Sequence, residues 1–239
     1  MGANELAVVA AVIVAGVMRG ITGFGGAMLM APPLSLLLGP VAAVVTSLML
    51  EAAAALVVAR DAWPKLKKTT LAYLTLPACV TVPIGGHLLL SLDPNIARKA
   101  IAGVVVVFSL ALMLGLRYTG SPKPATLVAL GGLVGVLLGA TSVGAPPVIL
   151  YMLSGPDPPA VTRANLTAFV TAISVIGVIM LVAAGAVTGQ LAISAAMLTI
   201  PYLAAIWLGS GLFARLSEFG ARWVSLGLML ISGIIGLVA

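Results

Sequence analysis

The sequence predicts an all-α polytopic membrane protein built from two inverted repeats, each with one broken or re-entrant helix and three transmembrane helices. Three observations lead to this fold class. The 239 residues are 62% hydrophobic and 8% charged, with a mean hydropathy of +1.24. Apolar runs of about 20 residues, the length that crosses a bilayer, follow one another along the chain. A glycine-rich motif that interrupts the first run returns in the second half.

The net charge is +6, and the cations lie in short loops between apolar runs. In such loops Lys and Arg determine the orientation of the membrane spans. We therefore expect no nucleic-acid partner. The single cysteine, Cys79, excludes an internal disulfide and a cysteine-rich metal site. We expect no cofactor and no metal. The N-terminal segment contains Glu5 and has no Lys or Arg before the first apolar run, unlike a cleaved signal peptide. We therefore expect this segment to be retained.

The first break is predicted at the motif Arg19-Gly-Ile-Thr-Gly-Phe-Gly-Gly26. Its glycines each cost a helix about 1 kcal/mol relative to alanine, yet apolar sequence flanks them on both sides. Irregular backbone at membrane depth is tolerated where protein covers it or where it lines a cavity. Exposed N–H groups and the positive end of the following helix then favour an anion. The alternative is that these glycines only permit close helix packing.

The same motif returns in the segment Gly135 to Ala145, which aligns without gaps with Gly16 to Gly26. A second block repeats with a slightly larger shift, since Leu74-Thr-Leu-Pro77 matches Leu198-Thr-Ile-Pro201. We interpret residues 1–120 as the first transmembrane repeat and residues 121–239 as the second, within one integral membrane domain. Two halves that each open with a broken helix are typical of secondary transporters.

The elements of the two repeats follow in the same order. In the first repeat we predict two half-helices and three spans, Leu6–Met18, Ala27–Leu38, Val41–Ala59, Thr70–Leu90 and Ile96–Leu116. Residues 117–124 form the linker, with one glycine and two prolines. In the second repeat the corresponding elements are Ala125–Leu138, Ala145–Leu153, Thr162–Ala184, Gln190–Phe213 and Trp223–Ala239.

Loop charge favours re-entrant over fully spanning broken helices. If both broken elements cross, six loop cations lie inside and five outside. If both turn back, nine lie inside and two outside, which obeys the positive-inside rule. This prediction gives six full spans, two re-entrant hairpins and both termini outside. The nine inner cations would be Arg60, Lys65, Lys67, Lys68, Arg117, Lys123, Arg163, Arg215 and Arg222.

These features resemble the TauE/SafE family of sulfite and organosulfonate exporters. The resemblance is carried by Gly20 to Gly26 with the following Pro32-Pro33, by the weaker copy from Gly139 to Pro147, and by the duplicated layout. It covers essentially the whole chain. It implies transport of a small sulfur-containing or carboxylate anion across a prokaryotic cytoplasmic membrane. The particular anion and the direction of transport are not implied.

The predicted anion site consists of backbone and neutral polar groups at the two breaks, together with one arginine. Hydroxyl and amide donors can desolvate an anion without fixing a charge in the membrane, although Ser and Thr often bond only their own helix. The predicted substrate-binding residues are Arg19, Gly20, Thr22, Gly23, Gly25, Gly26, Thr46, Gly139, Thr141, Ser142, Gly144 and Asn165.

Four ionisable residues need separate interpretations. Arg19 suits an oxyanion, because its planar fork can bind two oxygens, and its alternative role is a salt bridge with Glu51. Glu51, midway along its span, is a candidate carrier of a coupling proton. Arg163 is interpreted as a cytoplasmic anchor in preference to a ligand, and His87 as interfacial in preference to a proton relay.

An enzyme is not predicted, because no nucleophile–base pair, metal cluster or carboxylate pair can be assembled at membrane depth. No phosphate-binding loop for ATP occurs either. The predicted function is a secondary transporter working by alternating access; an anion channel and a membrane chaperone or scaffold are the alternatives. The expected partners are a small anion, the lipid bilayer and a coupling proton or Na⁺, and a homo-oligomer is left open.

Overall fold

The computed structural model describes residues 2–62, 66–116, 123–152, 159–213 and 218–239, and every regular element in these ranges is an α-helix. Residues 117–122 of the predicted linker lie outside the described residues, as do residues 63–65, 153–158 and 214–217. In chain order the helices are α1 (Ala3–Thr22), α2 (Gly26–Leu38), α3 (Pro40–Ala62), α4 (Lys68–Ser91), α5 (Pro94–Met113), α6 (Pro124–Thr141), α7 (Ala145–Met152), α8 (Pro159–Ala183), α9 (Gly189–Phe213) and α10 (Glu218–Val238).

Six of the helices in the described ranges are long and apolar enough to cross a membrane, namely α1, α4, α5, α6, α8 and α9. The all-helical membrane class predicted from the sequence is therefore confirmed. The individual spans differ from the prediction: α1 and α6, predicted as half-helices, are among these six, whereas α3 and α10, predicted as full spans, are not. The helices before the two breaks are longer than predicted, with 20 residues in α1 and 18 in α6. Interior glycines do not end these helices, because they lie at tight contacts with neighbouring helices.

The predicted breaks occur at residues 23–25 and 142–144. Gly23 and Gly25 adopt φ of +79° and +85°, the left-handed region that glycine enters without steric cost. At the second break a non-glycine residue, Ser142, adopts φ of +60°. Each break therefore interrupts the helical backbone for three residues between two helices.

Each repeat packs its first helix against the fourth helix of the other repeat. A Cβ added to Gly20 of α1 would collide with the carbonyl oxygen of Ile206 in α9, and one added to Gly139 of α6 with that of Val82 in α4. The contacts are reciprocal, because a Cβ at Gly209 or at Gly85 would collide with a carbonyl of α1 or α6. These glycines allow helix backbones to touch, which is how membrane helices pack most closely.

We predict that Gly20→Ala and Gly139→Ala each lower the thermal stability of the detergent-purified protein by several degrees. Their methyl groups have no space unless the helix pairs separate. Gly103→Ala is the matched control, because nothing lies within 4 Å of its added Cβ and alanine favours the helix. Equal melting curves for Gly20→Ala and Gly103→Ala would contradict this description of the packing.

Helix α10 packs against both α2 and α5. Met229 contacts Gly25, and Gly236 contacts Pro32, so α10 and α2 run in the same direction. Gly233 lies nearest Val106, whereas Gly236 lies nearest Ala102, so α10 and α5 run in opposite directions. Helices α5 and α10 are the last helices of the two repeats.

A hydrogen bond also joins α10 to α2. Pro33 has no N–H, so it leaves the carbonyl oxygen of Leu29 without its helical donor. The Ser232 hydroxyl donates to that oxygen at 2.9 Å. The proline after the first break is thus tolerated because a neighbouring helix replaces the missing donor.

Candidate functional site

The two breaks line one pocket. A cavity of about 30 Å³, enough for roughly one water molecule, lies between them. Helix α8 completes the wall with Val170 and Ser174. Residues separated by more than 100 positions in the sequence therefore meet at a single point. The pocket-lining residues of the breaks and adjoining helices are Arg19, Phe24, Gly25, Ala27, Met28, Glu51, Leu138, Ser142, Val143, Gly144, Ala145 and Pro146.

A buried polar cluster adjoins this pocket at the first break. The Arg19 Nη1 and Glu51 Oε2 atoms are 2.8 Å apart, with side-chain exposures of 12% and 5%. The salt bridge considered from the sequence as an alternative role for Arg19 is thus present. Arg19 also lines the cavity, so one arginine combines both positions.

The second carboxylate oxygen of Glu51 accepts two hydrogen bonds. The Tyr202 hydroxyl donates to Oε1 at 2.9 Å, and the backbone N–H of Ala27 donates to the same atom at 3.0 Å. Ala27 is the second residue of α2, so the carboxylate caps that helix at its positive end. The cluster joins α1, α2, α3 and α9.

Glycine at position 26 makes this cluster possible. A Cβ there would collide with the Tyr202 hydroxyl oxygen and would lie 2.6 Å from Glu51 Oε1. The glycine therefore allows a tyrosine from α9 and a glutamate from α3 to reach the first turn of α2. This requirement is one of close approach, and it differs from the positive φ that Gly25 satisfies.

The predicted site residues divide into three groups. Arg19, Gly25, Ser142 and Gly144 line the cavity, as does the coupling candidate Glu51. Gly26 lies against the polar cluster. The other predicted residues are placed elsewhere, in helix packing, in the turns of the breaks or away from the cavity: Gly20, Thr22, Gly23, Thr46, Gly139, Thr141 and Asn165.

The two threonines predicted to face the anion instead close the turns. The Thr22 hydroxyl donates to the carbonyl oxygen of Met18 at 2.8 Å or that of Phe24 at 2.6 Å. The Thr141 hydroxyl donates to the carbonyl oxygen of Leu137 and accepts from the N–H of Val143. Each equivalent threonine therefore stabilises the backbone around its own break.

Thr46 and Asn165 are both buried, but neither is among the residues that line the cavity. The Asn165 side-chain oxygen accepts from the backbone N–H of Lys67 at 3.0 Å, next to the start of α4. His87 lies on the exposed side of α4, 3.5 Å from the Ser91 hydroxyl. Of Arg163, only its position within α8 is described.

Tyr202, in the polar cluster, and Ser174, in the pocket wall, are not predicted from the sequence. A comparison of the repeats for their differences would have indicated Tyr202. Its equivalent in the first repeat is Ala78, just as Leu138 stands opposite Arg19 and Val170 opposite Glu51. All three polar side chains of the cluster thus replace an apolar residue of the other repeat. Ser174 has no comparable sequence signal.

The family comparison agrees with this architecture. The model of the family described as Sulfite exporter TauE/SafE matches residues 8–235, nearly the whole chain. The chain belongs to the TauE/SafE family. This member is accordingly a multi-pass membrane protein of a family of transporters and is not an enzyme. Comparison with curated proteins and with solved structures gives no match.

Proposed function

We propose that this TauE/SafE protein is a secondary transporter that binds one small anion between its two helix breaks and moves it across a prokaryotic cytoplasmic membrane. The substrate class is a sulfur oxyanion, an organosulfonate or a related carboxylate. The observation that supports this proposal best is that both breaks line a single pocket with one arginine. A packing role alone gives no reason for two breaks to meet around a cation.

The pocket is suited to an anion by its donors. Arg19 contributes a full charge and a planar fork that matches two oxygens of an oxyanion. The N-terminal ends of α2 and α7 face the same space, and each adds a partial positive charge. Because the cavity has room for about one water molecule, the helices around it must move apart to admit a substrate.

Two observations support an inverted arrangement of the repeats. The glycine contacts between α1 and α9 have counterparts between α6 and α4, as a two-fold relation requires. The equivalent helices α5 and α10 run in opposite directions. A two-fold axis along the helices would make such a pair parallel, whereas an axis in the membrane plane makes it antiparallel.

The site also lies at the depth expected for a carrier. Glu51 is the central residue of the 23-residue helix α3, and Tyr202 lies one residue past the centre of the 25-residue helix α9. Helices of this length span about 35 Å. A cluster at the midpoint of α9, one of the candidate spans, supports a site near the middle of the membrane, which is where alternating access requires the substrate to bind.

We predict that Lys68 and Ala184 lie on opposite sides of the membrane, although the loops before α4 and before α9 are equivalent in the two repeats. Inverted repeats place equivalent loops on opposite sides, whereas parallel repeats place them on the same side. Lys68→Cys and Ala184→Cys, each in a Cys79→Ala background, would be labelled with a membrane-impermeant maleimide in intact cells and in inverted vesicles. Labelling of both from one side would contradict the inverted arrangement.

Transport is tested in proteoliposomes with sulfite, thiosulfate, sulfoacetate and acetate. We expect uptake of at least one anion at a rate that saturates with concentration and rises when unlabelled substrate is trapped inside. A channel would show neither saturation at low concentration nor such counterflow. Uptake and binding no greater than in protein-free liposomes for all four anions would contradict the proposed function.

A further inference from the structure

The carboxylate of Glu51 occupies the donors that an oxyanion substrate would use. It is planar and carries its charge over two oxygens, like the terminal oxygens of a carboxylate or sulfonate. One oxygen lies 2.8 Å from Arg19, and the other accepts from the Ala27 N–H and the Tyr202 hydroxyl. With no substrate bound, the cation of the pocket is thus already neutralised by the protein itself.

The two oxygens of this carboxylate are held differently. Oε1 accepts two hydrogen bonds, whereas Oε2 is buried and has no hydrogen-bond partner among the described residues. Its partner is the charged Arg19 Nη1 atom of the ion pair, 2.8 Å away. Oε2 therefore keeps an unused acceptor position inside a pocket wall. That position can receive a proton without breaking either hydrogen bond to Oε1.

Charge decides whether the carboxylate and a substrate can share the pocket. Of the titratable groups in the described elements around Glu51, Arg19 of α1 and Tyr202 of α9 face it. Helix α2 contributes only a backbone N–H, and α8 contributes Val170 and Ser174 to the wall. A substrate anion beside an ionised Glu51 would leave two negative charges for one arginine in a medium of low dielectric constant, which is strongly unfavourable.

We propose that Glu51 is a proton-switched internal counter-anion, so that the transporter binds its substrate anion together with one proton. This inference rests on the proposed function. A proton from the aqueous phase adds to Oε2 and neutralises the carboxylate, which frees the Arg19 guanidinium to pair with the substrate. Loss of that proton on the other side restores the ion pair and expels the anion. Proton and anion then travel in the same direction.

The second break supplies the rest of the substrate site. Its equivalents of Arg19 and Glu51 are Leu138 and Val170, so no carboxylate from the equivalent position competes for its donors. The segment Ser142 to Ala145 lines the same cavity as Arg19. We infer that the released arginine and this break hold the anion from opposite sides. Tyr202 is a positioning residue, since it acts by orienting Glu51.

The test measures binding of thiosulfate and methanesulfonate, whose own charges stay constant between about pH 5 and about pH 8, to the full-length protein in detergent. Titration calorimetry in buffers of different ionisation enthalpy gives the protons exchanged. We expect the wild type to take up close to one proton per anion in the pH range where binding depends on pH. Where that proton is limiting, we expect the apparent Kd to rise about tenfold per pH unit.

Glu51→Gln retains the size and the hydrogen-bond acceptor of the side chain but cannot ionise. We expect it to bind the anion with a Kd that does not change with pH and with no proton uptake. Asp93→Asn is the matched control, because this exposed residue caps α5 and asparagine caps equally well. It should keep the wild-type pH dependence.

The outcomes separate the two proposals. Wild-type binding without proton uptake, or a Glu51→Gln protein with an unchanged pH slope, would overturn the inference and leave the proposed function standing. The wild-type measurement decides the matter even if Glu51→Gln fails to fold. If only sulfite binds, proton uptake by sulfite itself must be subtracted. Glu51→Gln gives that baseline, or Glu51→Val, with the residue found at the equivalent position of the second repeat, if the first variant fails to fold. Absence of binding by every anion would contradict both proposals.

Discussion

Arg19→Gln is expected to destabilise the folded protein, and adding Glu51→Gln is expected to restore much of the loss. The single substitution leaves a buried carboxylate without its charged partner, which typically costs about 3–5 kcal/mol. The double substitution replaces the ion pair by two neutral amides that can hydrogen-bond to each other. Thermal unfolding in detergent of the wild type, Arg19→Gln, Glu51→Gln and the double variant measures the coupling between the two side chains.

Among these four proteins, we expect the affinity for the anion to change differently from the thermal stability. The double variant lacks the guanidinium, so we expect an affinity about 10- to 150-fold below that of wild type, the equivalent of a charge-assisted hydrogen bond of about 1.5–3 kcal/mol. The loss should be larger for thiosulfate than for methanesulfonate, because Coulomb attraction scales with ligand charge. A stable double variant with wild-type affinity would show that Arg19 serves only as the partner of Glu51.

Gly25→Val is expected to abolish transport while leaving an inserted, folded protein. Gly25 has φ of +85°, where a β-branched residue is strained, and an added Cβ would collide with the end of the Met229 side chain. The valine would also stand in the wall of the pocket. Initial rates of anion uptake into proteoliposomes, normalised to the reconstituted protein, measure the loss.

Gly39→Val is the matched control for backbone strain. Gly39 also has φ of +85°, but it lies between α2 and α3, and nothing lies within 4 Å of its added Cβ. If Gly25 acts through the pocket, the control should lose stability but keep measurable transport. Equal loss of transport in both variants would instead attribute the effect of Gly25→Val to general strain in the fold.

The fold class and the positions of the breaks followed from local features of the sequence. Long apolar runs indicate segments that lie in lipid. The closely spaced glycines Gly23 and Gly25 indicate the position at which the helix is interrupted. The full lengths of α1 and α6 could not be predicted in this way. Helix propensity alone treats glycines such as Gly16 and Gly20 as unfavourable in a helix, so the predicted helices were too short. In the fold these glycines are at a helix contact, where the lack of a side chain is required.

The site was predictable where few residue types could occupy it. Arg19 and Glu51 stood out because charges at membrane depth are rare, and the structure places them in contact. Tyr202 was not predicted, because its contact depends on α9 packing against α1, about 180 residues away in sequence. For Thr46 and Asn165, equivalence in the repeats indicated matching places in the fold but not the direction of their side chains.

The central claim is that the anion binds between the two breaks, and a bound heavy analogue tests it most directly. Selenite is the selenium analogue of sulfite, and its anomalous scattering locates it without relying on the shape of weak density. In crystals of the full chain grown with selenite, we expect one selenium peak between the Arg19 guanidinium and the segment Ser142 to Ala145. Selenite that binds in solution but lies elsewhere in the crystal would contradict it.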